Sequence, residues 1–408
     1  MSTTEIVAPA ASTATRRILS LDIFRGLTFA VMIFVNALPE SDGLPWWTHH
    51  AHAMEDRMTY VDMVFPFFLF IIGVAMPIAI THRLRKNPSQ PALWGHIFLR
   101  SFSLLVLGLI LANAEYASRA VMPISGALWA ILALFSCCLY LNVYPKSTRF
   151  PRYATILRIV GLIGVVIMLA IFRRETPAGP AWLNFGYPEI LGLIGISYFA
   201  SALLYIPTRN LRWMQPVWFV LLVAFNAGCF LHLFPFTHHV SHYIWVFGNG
   251  SEPSIIFAGI LVSMMIFPST QPGATTKPRL KLAFAFGLLL LPLGYLLIPL
   301  GISKIRATPT WCLWSAGAAA IMLAALYWLC DQKHKSSWAS LFQTAGANGL
   351  LTYLLPDFWY YISAVVGFTW LDTHFAHGTQ EVIKTILFTI VILLIAKGLT
   401  RLKLRLQL

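Results

Sequence analysis

The chain has 408 residues, 58% of them hydrophobic and 11% charged, and its mean hydropathy is +0.71. So few charges do not cover the surface of a water-soluble domain of this size, which excludes a soluble fold. The formal net charge of +14 invites nucleic acid as a partner, but the basic residues are distributed as a membrane protein distributes them, and no nucleic acid is expected.

Residues 1–15 (MSTTEIVAPAASTAT) are polar or small and lack the basic-then-apolar layout of a cleaved signal peptide, so they read as a disordered tail. Residues 16–408 read as one transmembrane domain. Twelve apolar stretches follow in order: Leu19–Leu38, Tyr60–Ile80, Ile97–Ala114, Gly126–Val143, Tyr153–Phe172, Pro188–Ile206, Met214–Leu233, Ser254–Phe267, Leu282–Leu300, Thr310–Cys330, Ala339–Ile362 and Thr385–Leu399. A helix of about 20 such residues crosses roughly 30 Å of hydrocarbon. The expected fold class is therefore all-α, a polytopic bundle of about twelve transmembrane helices. Assigning the loops alternately puts 21 Lys and Arg residues on the inner side and 7 on the outer, with Arg25 inside a span completing the 29. That asymmetry predicts both termini in the cytoplasm, with the basic side meeting the anionic lipid of the bilayer.

Ionisable groups inside spans are costly, about 2.5 to 3.5 kcal/mol each at a helix centre, and they usually pair or work. In the first span Asp22 and Arg25 lie three residues apart on one helix face. They read either as a self-compensating pair or as the holder of a phosphate-bearing ligand at the cytoplasmic face. Asn36, near the outer end of the same helix, is an amide in need of partners. Next comes THHAHAMEDRMTYVDMVFPFF (residues 48–68), where His49, His50, His52, Glu55, Asp56 and Asp62 gather at the outer mouth of the second span. A short loop between His52 and Asp62 lets the carboxylate hold the imidazole in one tautomer. Pro66, read as lying inside the apolar run, predicts a kink there.

Farther along, Arg83 and Arg100 fall on the inner side, and Asn184 and Glu189 flank the sixth span. The five cysteines lie within spans without CxxC spacing and read as small apolar fillers. Lys304 and Arg306 lie outside, against the charge rule, which points to a local purpose such as a ligand or an acid. Asn348 and Tyr353 in the eleventh span, with Gly346 and Gly349 beside them, read as outward-facing polar positions or as interhelical glue.

Several blocks resemble the transmembrane N-acetyltransferases typified by heparan-α-glucosaminide N-acetyltransferase, with a bacterial NagX-like branch nearest. They are LDIFRGLTFAVMIFVN, the HA pair before DMVFPFFLFIIGVAMPIAI, LRSFSLLVLGLI, PEILGLIGISYF, PLGISKIRATPTWCLWSAG and GANGLLTYLLP. Together they reach from about residue 16 to 400. The resemblance implies acetyl-CoA as donor on the cytoplasmic side and an amino-sugar acceptor, glucosamine or a saccharide containing it, on the far side of a bacterial cytoplasmic membrane. It also implies a homodimer. The family's essential outward histidine, ten residues before the second-span aspartate, falls on His52, which Ala53 follows. Asn36 matches the family's FVN asparagine, Lys304 a loop lysine and Asn348 the late G-x-N asparagine. Two departures stand out: Gly192-Leu193 replaces a Gln-Arg pair of the human-type enzymes, and residues 120–175 look like an additional helical hairpin.

On this reading His52, Asp62 and Asn36 carry the catalysis, and Lys304, Asn348, Tyr353 and Glu189 bind the acceptor. Arg25, Arg100, Arg83 and Asp22 hold the donor's nucleotide end, and no metal is expected. The histidine acts as a general base in a ternary complex or as a nucleophile through acetyl-imidazole, with direct transfer favoured. Two rivals remain. Twelve spans also suit an amino-sugar or oligosaccharide transporter, although no repeat relates the two halves. The outer histidines (His49, His50, His52; His238, His239, His242) offer a metal site without well-spaced acids.

Overall fold

The computed structural model describes residues 18–38, 44–144, 152–234, 246–267, 277–375 and 378–407. The N-terminal tail and the loop with His238, His239 and His242 lie outside them. The first backbone N–H groups of a helix have no partner within it. At the start of α1 (Leu19–Ala37), those of Leu19 and Ser20 donate to the Asp331 carboxylate at 3.3 and 2.9 Å. Asp331 lies in a short π-helical turn, Tyr327–Gln332, that ends α10 (Pro309–Leu326). The start of α1 is thereby pinned to a helical turn more than 300 residues away.

Every stretch expected to be helical carries helix. Among the described residues seven helices are long and apolar enough to cross a membrane: α1, α2 (Val64–Lys86, with the turn before it), α3 (Gln90–Ala114), α5 (Tyr153–Ile171), α6 (Glu189–Thr208), α10 with its π turn, and α14 (Gly378–Arg401). Four shorter apolar helices join them: α4 (Gly126–Leu141), α7 (Met214–Phe230), α8 (Ser251–Ile266) and α9 (Leu280–Leu296). The chain is an all-α, multi-pass membrane protein. The eleventh stretch is divided into α11 (Ser340–Ala347) and α12 (Gly349–Val366), which part at Asn348, and α13 (Trp370–His374) is a single short turn. Outside the helices, β1 (Arg174–Thr176) and β2 (Gly179–Ala181) form a small antiparallel hairpin.

Packing is tight where glycines let backbones meet. A Cβ on Gly26 of α1 would lie 1.8 Å from the Phe342 carbonyl oxygen of α11, and one on Gly346 would lie 1.9 Å from that of Asp22. The same device joins α2 to α8 through Gly73 and Gly259, as membrane helices lacking a hydrophobic drive between them require. Most of α8 is buried on all sides, as expected of a central helix. By contrast α5 exposes most of its length beside α4, its partner in the hairpin of residues 120–175.

Pro66 makes no kink within a helix. A 3-10 turn, Val61–Met63, precedes α2, so Pro66 falls in the first turn, where its missing N–H costs nothing. Trp311 Nε1 donates to the Asp62 carbonyl at 3.0 Å and locks this turn to α10.

Candidate active site

Asp62 sits in that turn with 1% of its surface exposed, and a buried carboxylate must be met by donors. The backbone N–H groups of Thr59 and Ala51 reach its Oδ2 at 2.9 and 3.4 Å, and the Thr59 hydroxyl lies 3.4 Å away. Its other oxygen, Oδ1, is 2.7 Å from Nδ1 of His50, whose side chain is 39% exposed. Nδ1–H donating to Asp62 fixes the tautomer that presents Nε2 as the acceptor. The Lys304 ammonium lies 3.5 Å from both ring nitrogens.

His50 and Lys304 line a small cavity, and Lys304 also lines a larger one adjoining it. The smaller, about 20 Å³, has room for about one water and is lined by Met32, Asn36, His50, Val61, Phe65 and Lys304, among others. The larger, about 730 Å³, shares Phe65, Ile190 and Lys304 with it and extends past Tyr187, Phe230, His232, Asn249, Glu252 and Arg306. Burial holds the Lys304 ammonium below the ordinary lysine range, while the charges of Asp62 and Glu189 pull the other way. Burial, with help from the Glu189 charge, pushes the Tyr187 phenol up to about 12.

The loop that brings Lys304 here is braced from two sides. Asp56 Oδ1 accepts from the Arg306 guanidinium and, at 3.2 Å, from the Ile302 N–H. These bonds hold the Asp56 carboxyl below the usual carboxylate range. On the other side the side-chain amides of Asn226 and Asn249 each donate to the Ala307 carbonyl at 3.2 Å, and Ala307 has a left-handed φ of 53°.

The structure gathers three of the expected residues, Asp62, Asn36 and Lys304, but around a different imidazole. His52 is exposed and its backbone N–H donates to Glu55 at 3.1 Å, while the carboxylate expected to hold it takes His50. The expectation for Asn348 is also corrected. It lies at the opposite end of the bundle, beside Gly346 and α1. Its amide is consumed by the Thr400 hydroxyl (2.9 Å), the Leu404 carbonyl (2.8 Å) and the Leu406 N–H (3.2 Å). Tyr353 and Glu189 bond to each other, hydroxyl to carboxylate, at 2.9 Å behind the cavity wall formed by Pro188 and Ile190, and do not line the cavity.

Of the residues assigned to the nucleotide, Arg25 donates to the Gly346 carbonyl at 3.0 Å and stands 3.4 Å from Asp22. Arg83 and Arg100 both lie within electrostatic reach of His96. Arg100 stacks over Tyr198, 4.9 Å from the ring centroid, and its Nε is buried without a hydrogen-bond partner among the described residues. Among the described residues no group of three His, Cys, Asp or Glu could hold a metal ion.

Sequence reasoning named His50 only among the outer histidines and gave no site role to His96, Tyr187, Asn249 or Glu252. A signal existed for His50, because the HA pair occurs twice in HAHA, as His50-Ala51 and as His52-Ala53. For Glu252, on the far side of the cavity, no local signal existed.

The pattern of the family described as "Domain of unknown function (DUF5009)" matches residues 17–233, more than half of the chain. The chain belongs to the DUF5009 family. This DUF5009 protein is also similar to heparan-alpha-glucosaminide N-acetyltransferase of Homo sapiens, with 37% identity over 100 residues, and to that of Mus musculus, with 36% over 100 residues. The similar stretch is 24% of this chain and spans 14% of the length of each relative. The resemblance to heparan-α-glucosaminide N-acetyltransferase read in the sequence is thus met over these 100 residues.

Proposed function

We propose that this chain is a membrane N-acetyltransferase of the NagX-like branch. It transfers acetyl from acetyl-CoA, bound at the Arg25 and Arg100 end, to the amino group of a glucosamine-type sugar in the cavity beside His50. The observation that carries this reading is the Asp62–His50 pair, with Lys304 against the ring, where Lys304 joins the small cavity lined by His50 to one of about 730 Å³. The charge asymmetry supports a cytoplasmic Arg100 end and a periplasmic His50 end. A homodimer in a bacterial inner membrane completes the proposal.

The chemistry follows from the groups. The acceptor nitrogen attacks the thioester carbonyl while His50 Nε2 removes its proton, and Asp62 steadies the imidazolium so formed. Negative charge developing on the carbonyl oxygen meets the Lys304 ammonium and the Asn36 amide. The C–S bond then breaks, and the coenzyme A thiolate takes the proton from His50. The small cavity between Asn36 and His50 is the space into which the acetyl group would reach.

The test uses purified protein in proteoliposomes, with labelled acetyl-CoA on one side and glucosamine on the other. The expected outcome is labelled N-acetylglucosamine on the sugar's side. Sugar uptake that needs no acetyl-CoA would favour a transporter instead.

A further inference from the structure

An amine acceptor is cationic before it reacts, yet the cavity wall presents Lys304, 3.5 Å from the His50 ring, and Arg306, which is paired with Asp56. Two ammonium groups repel, so the cavity must offer a carboxylate elsewhere if an amine is to enter. Among the described residues that line it, Glu252 is that carboxylate.

Glu252 is also firmly placed. Gly250 caps α8 with a φ of 86°, and a Cβ there would sit 2.9 Å from the Leu222 carbonyl oxygen. Asn249 Oδ1 accepts from the Ser251 N–H at 3.1 Å, and the Ser251 hydroxyl donates to Glu252 Oε2 at 2.7 Å. That leaves Oε1 of the carboxylate for a ligand. The same Asn249 donates to Ala307 on the Lys304 loop, so one hydrogen-bonded frame fixes the acid and the lysine on the wall of a single cavity.

We infer that Glu252 anchors the ammonium of the incoming acceptor and makes the cavity select an amino sugar over the corresponding hydroxyl sugar. The inference rests on the acceptor reading above and adds the residue that recognises the amine. In the cavity Glu252 forms a charge-assisted bond with the ammonium. The opposed Lys304 disfavours the amine's charge next to His50, so the ammonium gives its extra proton to solvent water as it leaves Glu252, and the neutral amine meets His50. Glu252 binds; it takes no part in the acyl step.

Equilibrium binding of glucosamine and of glucose to the full-length protein in detergent tests this without any acetyl transfer. Wild type should prefer glucosamine, and Glu252→Gln should lose about 10- to 100-fold of affinity for it, the value of one hydrogen bond to a charged group, with glucose affinity unchanged. Glu252→Asp, which keeps the charge, should restore part of the preference. Equal wild-type affinity for the two sugars, or the same preference in Glu252→Gln, overturns the inference. So does a loss of affinity for both sugars together, which is what a collapsed cavity would give. An amine preference with no acetyl transfer in the vesicle assay would sink the transferase reading and leave this one standing.

Discussion

Asp62 Oδ1 lies 2.7 Å from Nδ1 of His50, two residues before the histidine that the motif singled out. The alternatives differ by the width of one HA pair, and they separate cleanly in an assay. His50→Ala should abolish acetyl transfer. Asp62→Asn leaves the ring without its anionic partner and should cost about 10²–10⁴-fold in kcat, the usual worth of a positioned acid–base group. His52→Ala should stay within about twofold of wild type, because a surface substitution away from packed or paired groups changes little. Activity retained in His50→Ala and lost in His52→Ala would reverse the assignment.

Lys304 gives the pH dependence its direction. Burial depresses its ammonium below the ordinary lysine range of about 10.4. The residue loses its proton earlier on the alkaline side than a free lysine. If the charged form steadies the oxyanion, kcat should fall along an alkaline limb that lies below the lysine range. Lys304→Arg, whose guanidinium stays protonated, should remove that limb even if the neutral-pH rate drops. A limb unchanged in Lys304→Arg would assign the titration to another group.

The helices were legible because each is a long apolar run, and a run needs no knowledge of its neighbours. The site was half legible for the same reason. Asp62, Asn36 and Lys304 stand out as polar groups against apolar context, and the structure brings them together. Which imidazole Asp62 takes depends on how residues 49–59 fold back on its carboxylate through the Thr59 and Ala51 N–H groups. Spacing along the chain does not encode that. Asn348 fails differently. Its partners are 52 to 58 residues downstream, at Thr400, Leu404 and Leu406, and a glycine-flanked asparagine looks the same whether it faces a ligand or a neighbouring segment. Glu252 joins the cavity only through tertiary packing.

That distinction makes Asn348 a stability residue. Its side chain bonds three groups of the C-terminal segment and is 3% exposed. Asn348→Ala leaves the buried Leu406 N–H without that partner, at about 1–3 kcal/mol for a buried unsatisfied group. The melting temperature in detergent should fall, while KM for the sugar stays unchanged. A raised sugar KM at wild-type stability would return Asn348 to the acceptor site.

The last prediction concerns the opposite end of the bundle. Arg100 stacks on Tyr198 and keeps its buried Nε without a partner among the described residues, and His96 lies within charge range of both Arg100 and Arg83. A buried guanidinium donor with no partner costs stability unless an anion meets it, and the phosphates of the donor nucleotide are such an anion. Arg100→Gln should therefore raise KM for acetyl-CoA about 10-fold or more, the worth of one charge-assisted hydrogen bond, and leave KM for the sugar as it is. Arg83 is exposed, so Arg83→Gln should do the same more weakly, with an effect that fades as salt screens it. Binding of coenzyme A alone, followed by calorimetry in nanodiscs of neutral lipid, separates the nucleotide from anionic headgroups. If Arg100→Gln leaves coenzyme A affinity untouched there, the donor's phosphates bind elsewhere.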